Sequence, residues 1–172
     1  MNKKLKKLTY TALLTALAII LPIIMKPLQI NIPPFSATPA VHVPIFLGMF
    51  LGPAAAIFIG LGSAFGFLFT ATPVVAARAA MHAAVGAVGA LAIKKKVPLP
   101  LVIVITAPVH AILEALIVIP FGFTMYKVLI IVGVGTILHH FFDGTISAVL
   151  IKALSKTGAV SFLPNNKLKT NN

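Results

Sequence analysis

PLPLVIVITAPVHAILEALIVI, residues Pro98–Ile119, is a run of 22 residues with two ionisable side chains, His110 and Glu114. Wound as an α-helix it measures about 33 Å, enough to cross the roughly 30 Å hydrocarbon core of a bilayer. A second run with the same character lies just upstream. Pro73–Ile93 is apolar apart from Arg78 and His82, which share the four-residue spacing of His110 and Glu114. Ionisable groups inside membrane helices are costly, so these four residues are the leading site candidates.

The whole chain supports the bilayer reading. Of its 172 residues 59% are hydrophobic and 9% charged, against about a quarter charged in soluble domains. The net charge of +12 would point to nucleic acid in a soluble protein, but the lysines are clustered. Lys3, Lys4, Lys6 and Lys7 precede the first apolar run; Lys94, Lys95 and Lys96 interrupt the middle; Lys152, Lys156, Lys167 and Lys169 follow the last. The positive-inside rule places all three clusters in the cytoplasm. With no cysteine, thiolate chemistry and disulfides are excluded.

These anchors predict an all-α integral membrane protein: one domain, residues 1–172, with six transmembrane helices and both termini cytoplasmic. The spans are 8–25, 40–51, 53–69, 73–93, 98–119 and 125–154, followed by a polar cytoplasmic tail, 155–172. Helix one has the basic start of a signal peptide, but Met25-Lys26-Pro27-Leu28 offers no small-residue cleavage site, so it reads as retained. Residues 26–39 are too rich in proline and polar groups to span. Gly52-Pro53 stops one helix and starts the next. The 40–51 segment reaches only about 18 Å, which leaves open a tilted crossing or a re-entrant hairpin with helix three.

Helix four runs inward and helix five outward, so Arg78 and Glu114 both lie roughly 7 to 8 Å below the outer boundary, and His82 and His110 roughly 13 Å below it. Each pair keeps to one helix face. Two readings stay open for Arg78 and Glu114: an ion pair, or a site in which the guanidinium holds a ligand carboxylate through two parallel hydrogen bonds. For His82 and His110 the alternatives are packing and ligand contact. Helix six adds His139, His140 and Asp143, placed deeper toward the cytoplasm; Asp143 with His139 reads as a structural bond or a subunit contact. His42 is placed near the outer surface without a role. Phe35, Phe69, Phe121, Phe123 and Tyr126 lie at a level where they can cover a flat ring.

Other chemistry finds no support. Gly60-Leu-Gly-Ser-Ala-Phe-Gly66 has its last glycine one residue too late for a dinucleotide loop. There is no HExxH, cysteine or dense acidic cluster, so no metal site and no cofactor are expected. Enzymatic motifs are missing as well, and so is the duplicated half of many transporters.

The chain resembles the S components of energy-coupling-factor transporters, small six-helix proteins that capture vitamins in prokaryotic cell membranes. The likeness covers nearly the whole chain. It rests on the basic start with Leu8-Thr-Tyr-Thr-Ala-Leu-Leu-Thr-Ala-Leu-Ala18, the proline-rich first connection, His42-Val-Pro-Ile-Phe-Leu-Gly-Met-Phe-Leu-Gly-Pro53 and the glycine-rich third helix. The resemblance implies a transmembrane coupling subunit docked on Ala12 and Ala16, two ATP-binding cassette ATPases, and a protein that topples to carry its vitamin inward. Within the family, Ser36 to Pro53 and Arg78-Ala-Ala-Met-His82 are most similar to the niacin-specific branch. Nicotinate would set its carboxylate on Arg78, with His82, His110, Glu114 and His139 shaping the pocket and Phe35, Phe69 and Tyr126 around the ring. Glu114 repels an anion unless it is protonated or paired with a histidine, which keeps pantothenate, a pyridoxine-like vitamin or nicotinamide as alternatives. A proton-coupled homo-oligomeric permease is the alternative from another class.

Overall fold

The computed structural model describes residues 2–158 and 160–164. Lys167 and Lys169, and half of the tail assigned to 155–172, lie outside the described residues. Helix α1 spans Lys3–Ile24 and starts upstream of Leu8 because the Asn2 side chain accepts from the Lys4 N–H at 3.1 Å, capping a free donor of the first turn.

The connection that follows is not irregular. After a 3₁₀ turn at Lys26–Leu28, β1 (Ile30–Ile32) pairs antiparallel with β2 (Phe35–Ala37), Ile30 opposite Ala37 and Ile32 opposite Phe35. The described residues are helical in the main, as expected, and this hairpin of two three-residue strands is the one addition to the all-α reading among them. Its alternating Ile-Asn-Ile strand and the Pro33-Pro34 corner suit a short ribbon. A two-stranded hairpin is marginal alone; here β2 is buried, with Phe35 and Ala37 packed on Ala115, Val118, Val128 and Val132.

Helix α2 is only Val43–Met49, every residue buried. Its 7 residues extend roughly 10 Å, so the span expected at 40–51 is a leg of turns leading into a short helix. At Gly52 the chain takes φ +105°, a left-handed value that glycine adopts without strain, and α3 (Pro53–Leu68) begins on Pro53. The fourth apolar stretch is broken at Met81 into α4 (Pro73–Ala80) and α5 (His82–Lys94). Helix α6 covers Leu99–Val118. The last stretch starts as a π-helical segment, Lys127–Val134, and continues as α7, Gly135–Thr157.

Among the described residues, four stretches are long and apolar enough to cross a membrane: Lys3–Ile24, Pro73–Lys94, Leu99–Phe121 and Lys127–Thr157. Helix α3 packs on α1, α4 and α5, while α6 packs on α4, α5 and α7, which encloses α2. The described basic clusters gather at one end of this bundle. Lys3, Lys6 and Lys7 border the same cleft as Phe50, Leu51 and Phe162, and Ile93, Val97, Leu99, Leu154 and Phe162 join one apolar cluster. The hairpin and Lys127 mark the other end, as alternating helix direction requires.

One glycine sets the spacing at the centre of the bundle. A methyl added at Gly60 of α3 would sit 2.5 Å from the Ala83 nitrogen and 2.6 Å from the His82 carbonyl carbon, so only a bare Cα lets α3 approach α5 where His82 emerges. Gly60→Val is expected to destabilise the protein by about 1 to 3 kcal/mol through overpacking. Thermal unfolding in detergent measures it; an unchanged midpoint would show that the two helices separate freely.

Candidate functional site

Every histidine, both acidic residues and the sole arginine of the chain meet in one cluster at the centre of the bundle. Arg78, His82, His110, His140, Glu114, Asp143 and His42 are all buried. In an apolar bundle such groups must satisfy one another, since an isolated buried charge is prohibitively costly.

Arg78 and Glu114 pair directly, as their matched depth allows. The Arg78 Nη2 and Nε groups donate to Glu114 Oε2 at 2.6 and 3.2 Å, and Nη1 donates to the Pro34 carbonyl at 3.0 Å. Thr136 of α7 donates a further 2.5 Å hydrogen bond to Oε2. Phe35 covers the guanidinium, its ring centroid 5.2 Å from Arg78 Cζ, a cation–π arrangement. The hairpin is thereby fastened over the arginine by both its turn and its second strand.

His42 and Asp143 depart most from the sequence reading. His42 is 2% exposed, at the foot of the turns that lead into α2 rather than at the outer surface. Backbone that is neither helix nor sheet can lie within a membrane protein only if its polar groups find partners there. Asp143 supplies them, accepting from the Ala40 N–H at 2.8 Å, the His42 N–H at 3.2 Å and His42 Nδ1 at 2.8 Å. His139 Nε2 donates to the Thr38 carbonyl at 3.1 Å and lies 3.3 Å from Asp143 Oδ2. Asp143 with His139 is therefore a contact within the chain, and the pair lies in the same cluster as helices four and five rather than on a separate, deeper level.

The remaining imidazoles continue the network. His42 Nε2 is 3.0 Å from His82 Nε2, and His82 Nδ1 is 3.1 Å from the Ser63 hydroxyl. His110 Nδ1 is 3.1 Å from His140 Nδ1, whose Nε2 donates to the Ile103 carbonyl at 3.1 Å. His110 Nε2 lies 3.3 Å from Glu114 Oε1 but out of line for a hydrogen bond, and it is a buried atom without a hydrogen-bond partner among the described residues.

Above the cluster, Arg78, His82, Glu114, His139, Ser36 and Thr38 line a cavity of about 20 Å³, room for one water molecule. It adjoins a cleft of about 530 Å³ between the hairpin and the α3–α4 connection, with Ser36 and Val75 common to both. Phe35 lies at the cluster and Phe123 lines the cleft. Phe69 and Tyr126 are not brought in; they are 68% and 66% exposed. Phe69, the C-cap of α3, stands at the exposed end of that helix with Phe65, at 5.1 Å between ring centroids. Tyr126 precedes the π-helical segment and points away from the core. Phe121 is also exposed. Ala12 and Ala16 lie on the outward face of α1.

Among known proteins, the chain is similar to the niacin transporter NiaX of Lactococcus lactis subsp. cremoris (strain MG1363). The two are 33% identical over 181 aligned residues, covering 95% of this chain and 81% of that protein. No protein-family model matches the chain, and no solved structure does.

Proposed function

The chain belongs to the niacin-transporter family of energy-coupling-factor S components, and we propose that it captures nicotinate from the outer side of a prokaryotic cell membrane through the pocket above Arg78. It is a transport component, not an enzyme. The similarity to a niacin transporter along almost the whole chain carries this reading. The pocket chemistry agrees with it. Nicotinate offers one carboxylate, one ring nitrogen and one flat face, for which the site provides a buried guanidinium, several imidazoles and the Phe35 ring.

The small cavity describes a closed arrangement. An aromatic acid needs several times its volume, so binding requires the hairpin to lift from Arg78 and open the pocket to the cleft beside it. The bond from Arg78 to the Pro34 carbonyl and the cation–π contact with Phe35 are what that movement must exchange for ligand contacts. A carboxylate can take over the guanidinium face as its outer partner while Glu114 stays with Thr136 and the imidazoles.

The reading extends to six crossings, with α2 and the turns that precede it together making the second and the basic end in the cytoplasm. It also extends to the partners: a transmembrane coupling subunit on the Ala12 and Ala16 face, and two ATP-binding cassette ATPases. The exposed positions of the two alanines leave that face free to dock, since small residues let helices approach closely. Copurification tests this part. The chain should bring down a coupling subunit and ATPases, and uptake should stop when ATP hydrolysis is blocked; uptake by the chain alone in proteoliposomes under a proton gradient would contradict it.

Ligand choice gives a further expected result. Nicotinamide keeps the ring and loses the charge, so it gives up the charge-assisted bonds to Arg78, which are about twice as strong as neutral ones. Competition binding should rank nicotinate above nicotinamide by at least about tenfold, the equivalent of 1.4 kcal/mol. Equal affinities would remove Arg78 as the carboxylate anchor.

A further inference from the structure

Three imidazoles from separate elements, His42 ahead of α2, His82 at the start of α5 and His110 in α6, meet nearly edge to face, with ring centroids 4.5, 4.8 and 5.1 Å apart. One ring nitrogen from each lies within 4.8 Å of the others. The opposite nitrogens are committed elsewhere: His42 Nδ1 to Asp143, His82 Nδ1 to Ser63 and His110 Nδ1 to His140. A metal-binding histidine typically has this second contact, which fixes its tautomer and aims its free nitrogen.

Hydrogen-bond bookkeeping then leaves lone pairs pointing at one place. The Ile103 carbonyl only accepts, and the Thr106 hydroxyl, also 3.1 Å from His140 Nε2, spends its hydrogen on the Val102 carbonyl at 2.7 Å, so His140 Nε2 carries its hydrogen. His140 Nδ1 therefore accepts from His110 Nδ1–H, and the buried, partnerless His110 Nε2 is a bare lone pair. His42 donates from Nδ1 to the Asp143 carboxylate, so its Nε2 is a second. Between His42 Nε2 and His82 Nε2, 3.0 Å apart, a single hydrogen on His82 suffices. His82 can give it up, because the Ser63 hydroxyl is able to accept from Nδ1 as well as donate to it. Glu114 divides its oxygens in the same sense: Oε2 takes Arg78 and Thr136, while Oε1 faces His110 Nε2 at 3.3 Å and His82 Nε2 at 3.8 Å.

Tetrahedral zinc with ligands at 2.0 to 2.1 Å holds donor atoms about 3.3 to 3.4 Å apart and imidazole centroids roughly 5 Å apart. The separations of 3.0, 3.3 and 3.8 Å bracket the first figure, and the centroids lie close to the second. We propose that His42, His82 and His110 form a site for a divalent transition metal of the zinc type, with Glu114 Oε1 beside two of them, immediately beneath the pocket that Arg78 closes. Imidazole and carboxylate donors suit such ions. A dication there would also offset Glu114 and make the Arg78 pocket more attractive to an anion. The site itself does not depend on the nicotinate reading.

Zinc alone tests it. Protein purified without a histidine tag, stripped with a chelator and dialysed into metal-free detergent buffer is titrated with zinc, and bound metal is counted by mass spectrometry. One zinc per chain is expected, with a raised unfolding temperature. His42→Gln, His82→Gln and His110→Gln should each weaken binding by about 100-fold or more, and Ser63→Ala by about tenfold, as for loss of an orienting partner. X-ray absorption on the zinc-loaded wild-type protein should show three imidazoles and one oxygen around the metal, and decides the matter however the variants fold. No stoichiometric zinc, fewer than three imidazoles, or full affinity in the folded histidine variants would overturn the site. Nicotinate binding measured separately, before and after zinc, keeps the two readings distinguishable.

Discussion

Replacing Arg78 by alanine is expected to weaken nicotinate binding about a hundredfold or more. Truncating one partner of a buried, hydrogen-bonded charge pair costs about 2 to 5 kcal/mol, and a hundredfold change corresponds to about 2.7 kcal/mol. Arg78 donates from three nitrogens to the Glu114 carboxylate and the Pro34 carbonyl, so no other side chain in the cluster duplicates its fork of donors. Arg78→Lys keeps the charge but not the fork and should lose about tenfold. The substitution to alanine also strands Glu114, so part of the loss is stability. Adding Glu114→Gln to Arg78→Ala removes the stranded charge and should recover stability without recovering binding. Calorimetry beside thermal unfolding separates the two effects; wild-type affinity in Arg78→Ala protein would end the assignment.

Asp143→Ala is expected to have the largest effect on stability. Its carboxylate accepts from two backbone N–H groups and one imidazole on the leg that carries the chain into the bundle. Each donor left buried and unsatisfied costs about 1 to 3 kcal/mol, together roughly 3 to 9 kcal/mol, a large part of the 5 to 15 kcal/mol that holds a typical protein. The unfolding temperature should fall by about 10 °C or more. Asp143→Asn keeps one accepting oxygen and should fall between. A midpoint within about 2 °C of wild type in the alanine variant would mean that the leg is held by other contacts.

These two residues differ in how far the sequence revealed them. Arg78 and Glu114 were legible because both lie in long apolar helices, where counting residues from a terminus gives depth and a spacing of four gives a common face. His42 and Asp143 were not. Depth cannot be counted along residues 38–42, a leg of irregular turns with no regular rise, so His42 read as a surface residue; once it sits at the centre, Asp143 gains its purpose as acceptor for that leg. The hairpin was hidden because Pro33 and Pro34 read as loop, although Ile30-Asn31-Ile32 alternates as a strand does. Phe69 and Tyr126 sit at helix ends, where direction depends on how the chain leaves α3 and on the winding of 127–134, and both turn outward. The cluster of nitrogens around His110 has no sequence signature, since its donors come from positions forty and twenty-eight residues apart, and the metal site proposed for it departs from the expectation of none.

The measurement that bears most directly on the whole account is a calorimetric titration of nicotinate into the purified wild-type protein in detergent, without partner subunits. Saturable binding of one nicotinate per chain, competed weakly by nicotinamide, is the predicted result. Absence of saturable nicotinate binding in protein that remains folded would contradict it.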